Sequence, residues 1–270
     1  MIYGTRSNGN LHGTVLTKPI VVDAMLDMVG YFDFKNLSSV KIVEPAAGDG
    51  AYAIPIIERL YNSSINFGFS FQNALNNVHF CEMDEAMSNT LKERIIEKLN
   101  DYSSVLPESM IITGDFLLAD ISDCDIVVGN PPYVRHENIP DEKKVIYRKI
   151  FGTFSHRSDI YIAFFEKSLR ALKQEGVLSF ICSNRWIKNQ YGEKLRKFIG
   201  LNFSLEEIID LEETNPFEEN VIAYPAIATI RKSKNKIVPK YYKLDNLNNL
   251  KTISKSQIKS RILNLETHKN

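Results

Sequence analysis

Short apolar runs alternate with segments of helical spacing along most of this chain, the pattern of a parallel sheet with helices on both faces. The runs predict strands at Val40–Val43, Val78–Cys81, Met110–Ile112, Asp125–Val128 and Val177–Cys182. Helical spacing falls between them at Ala51–Tyr61, Glu85–Leu99 and Tyr161–Leu172, the last followed by Lys173-Gln174-Glu175-Gly176 as a C-terminal stop. Two later runs, Leu205–Leu211 and Ala226–Arg231, flank a polar loop and are expected to pair as an antiparallel hairpin at one edge of the sheet. Seven strands so arranged suit a single α/β domain over residues 1–231. Tyr133–Asp159 carries Pro140 and many charges with little periodicity, so it reads as a long surface loop with a short helix, a length that often accompanies function. After Arg231 the composition turns to Lys, Asn and Ser, and residues 232–270 read as a basic tail or the start of a further domain.

Composition changes this picture little. With 270 residues and 44% hydrophobic content the chain can bury a full core. It has no run of 18 apolar residues and no apolar signal segment at Met1–Arg6, so a soluble, cytoplasmic protein away from membranes is expected. Cys81, Cys124 and Cys182 lie far apart in or beside predicted strands and read as small core hydrophobes. The histidines, at 12, 79, 136, 156 and 268, form no ligand pattern, so no metal is expected. Charge matters more. The net charge is zero, yet Arg231–Asn270 holds 11 Lys and Arg against 2 Asp and Glu, leaving 22 against 31 of the 33 of each in the rest of the chain. A basic segment is either a solvated extension or an electrostatic hold on a phosphate backbone.

The candidate chemistry sits where strands end. Glu44-Pro45-Ala46-Ala47-Gly48-Asp49-Gly50 follows the first strand, and its small residues let a ligand approach the backbone in the crevice where such sheets bind nucleotides. Glu82 ends the next strand, where an acid can hold both ribose hydroxyls; the G-x-G-x-x-G spacing is absent, which favours a nucleoside carrying a non-phosphate group over a dinucleotide. Turn capping is the structural alternative for both acids. Asp115-Phe116 follows the third strand and offers an acceptor for an adenine amine with a ring for its face, or simply a strand-end acid and a core aromatic. Asn130-Pro131-Pro132-Tyr133 follows the fourth. Its prolines fix φ and remove two donors, leaving the Asn side-chain oxygen and a proline carbonyl as acceptors beside a stacking ring, a cradle for a planar amine. Double prolines also end strands for purely structural reasons.

Taken in order, these residues resemble the S-adenosylmethionine-dependent N6-adenine DNA methyltransferases of restriction–modification systems, in the gamma order. His12–Val22 is similar to the family's N-terminal cofactor motif, with Thr17 at the position that contacts the methionine end. Val43–Gly50 is similar to the glycine-rich motif, including Glu44, Pro45, Ala46 and Gly48; Glu82 matches the ribose acid, Asp115 and Phe116 the adenine-contacting pair, Asn130–Tyr133 the catalytic tetrapeptide and Phe164 a cofactor-packing position. Phe217 matches an aromatic that sandwiches the extrahelical adenine with Tyr133, although Tyr224 lies near enough in sequence to serve instead. The resemblance covers about 230 residues. It implies the class I methyltransferase fold, S-adenosylmethionine as cofactor, double-stranded DNA as partner, and transfer to N6 of a flipped adenine.

The resembled family commonly carries a C-terminal target-recognition domain, and about 40 residues after the last predicted strand are too few for one. A truncated product, a separate specificity subunit that reads DNA, or weak nonspecific binding by the basic tail is therefore expected, with an endonuclease as a further candidate partner. The same tetrapeptide serves methylation of a glutamine amide in release factors, which is one alternative reading, and ribosomal RNA adenine methylation is another. An inactive DNA- or partner-binding remnant is the alternative of another class.

Overall fold

The computed structural model describes residues 15–155, 157–219 and 224–253. Eight strands form one sheet in the order β3-β2-β1-β4-β5-β7-β6-β8: β1 Ile42–Glu44, β2 Val78–Glu82, β3 Ile111–Thr113, β4 Cys124–Gly129, β5 Leu172–Ser183, β6 Ser204–Asp210, β7 Pro225–Arg231 and β8 Lys240–Lys243. Pairing is parallel from β3 through β5, antiparallel where β7 meets β5 and β6, and parallel again between β6 and β8. The helices are α1 Pro19–Val29, α2 Ala53–Phe67, α3 Phe71–Ala74, α4 Glu85–Asp101, α5 Asp141–Ile150, α6 Tyr161–Ala171, α7 Arg185–Lys188 and α8 Glu193–Asn202.

The predicted two-sided burial is visible residue by residue. Ile42, Phe80, Ile126, Val128, Val177 and Ile181 point into a core with α1, α2 and α4, while Val43, Cys81, Val127, Leu178, Phe180 and Cys182 point into a second core with α5, α6 and α8. Successive strand residues alternate between the two, so both faces must be apolar and each strand reads as a short continuous apolar run. Completely burying one such side chain contributes roughly 1.5–3 kcal/mol. The three cysteines are free and buried among these residues.

Two expectations need correction, and one is refined. The helix stop at Lys173–Gly176 holds, since α6 ends at Ala171, but the strand already begins at Leu172, and residues 173–176 form an irregularity between Leu172, which opposes Cys124, and Val177, which opposes Ile126. A side chain at Gly176 would place its Cβ 2.8 Å from the Cys124 carbonyl oxygen, so the glycine permits close approach rather than release. The β6–β7 pair is not the edge, because β8, drawn from the expected tail, closes outside it as an eighth strand. It carries Lys-Tyr-Tyr-Lys with no apolar alternation, exposed except for the partly buried Tyr242, and Leu244, Leu250 and Ile253 beyond it are buried. Finally, Tyr133–Asp159 is not mainly surface. Tyr147, Phe151 and Phe154 are buried there, and Glu166 accepts from the backbone N–H groups of Gly152 and Thr153 at 3.2 and 2.7 Å. Among the described residues no helix is long and apolar enough to cross a membrane.

Candidate active site

The order of the sheet reverses at β1, between β2 and β4, and the crevice beyond their carboxyl ends is where such sheets hold ligands. A cleft with about 870 Å³ of empty space, open to solvent, lies there. Thr17, Glu44, Pro45, Ala46, Gly48, Glu82, Asp115, Phe116, Asn130, Pro131, Pro132, Tyr133 and Phe164 line it, so residues up to 147 positions apart in sequence meet in one cavity as their motifs anticipated. Gly48 and Gly50 have φ of 56° and 97°, the left-handed region that glycine enters without strain, and a Cβ on Gly50 would lie 2.8 Å from Leu91. The turn can therefore press against α4 while opening its backbone to the cleft.

Glu82 holds this turn in place. One carboxylate oxygen accepts from Gly48 N–H at 2.8 Å and the other from Asp84 N–H at 2.9 Å, while Asp84 caps α4 by accepting from Met87 N–H. Capping, the structural alternative, is thus met in part, yet each carboxylate oxygen has a second lone pair for a hydroxyl. Asp49 is tied down by Arg94, which donates to its carbonyl and carboxylate at 2.6 and 2.7 Å. Asp49 Oδ1 and Glu44 Oε2 are both buried without a partner; Glu44 is buried as a whole, and burial, then the nearby charges of Glu82 and Asp49, push its carboxyl well above the ordinary 4.5. A cationic ligand would relieve that.

Asp115 has partners that sequence reasoning missed. Oδ1 accepts from Leu117 N–H at 3.1 Å, whereas Oδ2 accepts from Lys143 Nζ at 2.5 Å and from the Tyr147 hydroxyl at 2.7 Å. Both donors come from α5, inside the segment read as a loop, and no spacing in the sequence links them to Asp115. Phe116 and Phe164 stack at 5.4 Å between ring centroids beside it. Val15, from the N-terminal motif, also lines the cleft, as do Tyr52 and Met83, which were not anticipated.

At the end of β4 the Asn130 amide nitrogen donates to the Val15 carbonyl at 2.9 Å and the Thr17 hydroxyl at 3.3 Å, and Oδ1 is buried with no partner. The Tyr133 hydroxyl is likewise buried and unpartnered, and burial, with smaller contributions from Cys182 and Tyr52, raises its pKa so that it stays protonated. Phe217 does not line the cleft. It is buried and stands edge-on to Tyr133, with centroids 6.0 Å apart and planes at 81°. A sandwiched base needs two parallel rings about 7 Å apart, so Phe217 as placed braces Tyr133 and must turn before it can face a base. Tyr224 is 38% exposed, lies outside the cleft lining, and has the Arg185 guanidinium 5.0 Å above its ring. Among the described residues no His, Cys, Asp and Glu side chains gather as a metal site. His12, His156 and His268 lie outside those residues, as do Gly13 and Thr14 of the N-terminal motif.

A Listeria monocytogenes protein described as a class I S-adenosylmethionine-dependent methyltransferase superposes with a TM-score of 0.67, covering 89% of this chain and 69% of that one at 18% identity. A nuclease-deletion mutant of the Type ISP restriction-modification enzyme LlaGI, in complex with a DNA substrate mimic, gives 0.70 over 89% of this chain and 25% of that one, also at 18%. Identities so low speak for fold alone, and the fold is the class I S-adenosylmethionine-dependent methyltransferase fold. Sequence goes further. The chain is 41% identical over 246 residues to the Type II methyltransferase M.BstVI of Geobacillus stearothermophilus, covering 86% of this chain and 44% of that protein. It is 36% identical over 235 residues to the Type II methyltransferase M.XhoI of Xanthomonas vasicola, with coverages of 83% and 43%. It thus spans less than half the length of these relatives. Residues 34–217 match the Eco57I restriction-modification methylase family, and the chain belongs to that family.

Proposed function

We propose that this chain binds S-adenosylmethionine in the cleft and transfers its methyl group to N6 of an adenine flipped out of double-stranded DNA, as the modification step of a restriction–modification system. The observation that carries the reading is Asn130 Oδ1, a buried acceptor without a partner at the cleft wall, beside a proline carbonyl and the Tyr133 ring. A buried unpaired acceptor costs about 1–3 kcal/mol, which a donor from a ligand offsets. An amine hydrogen is such a donor.

The residues present fit the cofactor. Glu44, buried with an unpartnered oxygen, suits a cationic ligand; Thr17 would meet its methionine end, Glu82 its ribose, and Asp115 with Phe116 and Phe164 its adenine. Bound there, the cofactor supplies an electrophilic methyl group on a sulfonium. An adenine in a duplex must first leave the stack, at a cost of a few kcal/mol, and Tyr133 offers the ring that receives it. Asn130 Oδ1 and the Pro131 carbonyl are acceptors only, so each takes one N6 hydrogen and together they turn the nitrogen lone pair toward the methyl group. Positioning of this kind is worth several kcal/mol of barrier. The same two dipoles stabilise positive charge as it develops on N6. The N6 proton becomes acidic only after transfer, so the site needs no strong base beforehand.

The proposed partner is double-stranded DNA, with a specificity-conferring polypeptide or an endonuclease as a second. The test is incubation of the purified chain with methyl-labelled cofactor and, separately, DNA, ribosomal RNA and a release factor, followed by nucleoside and amino-acid analysis. Label in N6-methyladenine from DNA is expected. Label confined to cytosine, RNA or glutamine overturns the reading.

A further inference from the structure

The orientation of the Asn130 amide is imposed by a segment with other duties. Its nitrogen lies 2.9 Å from the Val15 carbonyl oxygen, and a carbonyl only accepts, so nitrogen rather than oxygen must face it. Turned over, the amide would set its oxygen against the Val15 carbonyl oxygen with no proton between them, losing this bond and adding repulsion, while the Thr17 hydroxyl, which can donate or accept, would tolerate either face. Val15 and Thr17 are not loose. Lys18 N–H donates to the Pro216 carbonyl at 3.0 Å, Glu218 N–H donates to the Leu16 carbonyl at 2.9 Å, and Thr17 and Phe217 form an antiparallel bridge, after which Pro19 opens α1. One strap therefore lines the cofactor cleft, fixes Asn130 and carries Phe217, the ring that braces Tyr133.

We propose that the Val15 carbonyl, with the Thr17 hydroxyl as second acceptor, is the positioning element that holds Asn130 Oδ1 toward the substrate, and that it makes this site selective for an amide over a carboxylate at position 130. The inference rests on the methyl-transfer reading above. Its chemical consequence is specific. An ionised carboxylate at 130 has no proton to give Val15 and sets one negative oxygen against that carbonyl. A protonated one restores both halves, donating to Val15 and presenting its second oxygen as acceptor. Activity of Asn130→Asp must therefore rise as pH falls through the pKa of the introduced carboxyl.

The groups around this position share that direction. Glu44 lies against Gly129, with its Cγ 3.4 Å from where a Gly129 Cβ would sit, and Glu82 and Asp49 stand behind Glu44. The Tyr52 hydroxyl meets Thr17, Tyr133 follows in the turn, and Cys182 lies near Tyr133. All are acids, and burial raises the pKa of Glu44, Tyr52, Tyr133 and Cys182. Wild-type protein carries the same groups, so its own profile subtracts their contribution.

Single-turnover methyl transfer to DNA is measured against pH for wild type and Asn130→Asp, with cofactor affinity by calorimetry and the introduced carboxyl titrated by ¹³C NMR in the full chain. The expected result is a deficit of about tenfold or more near pH 8 that narrows toward pH 6, with cofactor Kd within about threefold of wild type and a carboxyl titrating well above the usual value of about 3.9. Thr17→Val should cut turnover several-fold and Thr17→Ser should restore it. A ratio to wild type that is flat with pH, or a carboxyl titrating in the ordinary aspartate range, overturns the inference. If wild-type protein methylates no DNA adenine, the methyl-transfer reading fails separately, while the NMR titration still decides whether Val15 demands a donor at 130.

Discussion

The two halves of the cleft are built on opposite principles. On the β1–β2–β3 side, Glu82 and Asp115 have both carboxylate oxygens engaged, with Gly48 and Asp84 N–H groups for one and Leu117, Lys143 and Tyr147 for the other. At the end of β4, Asn130 Oδ1 and the Tyr133 hydroxyl are buried without partners. Buried polar groups are satisfied in the great majority of cases, so the unpartnered acceptor and hydroxyl at this wall point to a ligand, as do Glu44 Oε2 and Asp49 Oδ1. The satisfied side is a frame that exists before binding. The unsatisfied side carries a desolvation cost that a hydrogen-bond donor relieves, and on the proposed reading that donor is the substrate amine. Glu44 belongs with the second group although it sits on β1, since Oε2 is buried and unpartnered.

This contrast can be broken by mutation, most strongly at Asn130. Asn130→Ala is expected to lower single-turnover methyl transfer by about 10²–10³, the range for losing one preorganised polar group at a reacting centre, while calorimetry shows cofactor affinity nearly unchanged. A loss of affinity comparable to the loss of rate would erase the division between frame and acceptor. Glu82→Ala should do the reverse. Cofactor affinity falls by about tenfold or more, and two charge-assisted bonds to backbone N–H groups go with it, destabilising the ligand-free protein by about 2–4 kcal/mol in thermal melts. Unchanged stability would show that Gly48 does not depend on Glu82.

Smaller effects sharpen the comparison. The folded-state pKa of Glu44 is raised, so its contribution to stability is fully present below the ordinary 4.5 and is lost as pH rises through the folded value. Ligand-free protein should therefore lose stability from about pH 5 upward by an amount that Glu44→Gln removes, on the order of 1 kcal/mol for each pH step of one until the folded value is passed. Cofactor should restore it by pairing the ionised carboxylate. Melts that run parallel in variant and wild type across that range would place Glu44 with the satisfied frame. The smallest expected change is at Lys143, whose ammonium occupies the Asp115 oxygen that an adenine amine would use. Lys143→Met should tighten cofactor binding about twofold to threefold, the scale of a partly exposed ion pair. Weaker binding would mean that Lys143 orients Asp115 instead of competing for it.

The fold was legible in the chain wherever burial on both faces wrote a short apolar run, as at Ile42–Val43, Val78–Cys81 and Asp125–Val128. It was illegible where main-chain pairing does the work. Lys240–Lys243 adds to β6 through its backbone with Tyr242 alone partly buried against the core, so no periodicity marks it. Lys173–Gly176 carried the stop that ends α6, but no periodicity showed that the strand pairs already at Leu172, before the irregularity that Gly176 lets approach Cys124. In the site, the motifs at Glu44, Glu82, Asp115 and Asn130 were readable because strand ends in such a sheet converge on one crevice. Lys143 and Tyr147 were not, since their relation to Asp115 arises only when α5 folds back over it.

What the sequence determined by itself was which chemical groups stand at the strand ends, because alternating burial fixes the strands and the prolines after Gly129 fix the turn. Only the tertiary structure decided which atoms of those groups are free. Whether Asn130 presents its oxygen or its nitrogen depends on a carbonyl 115 residues away, and whether Phe217 faces a base or braces Tyr133 depends on the bridge it makes with Thr17. Hydrogen-bond satisfaction is a property of neighbours in space.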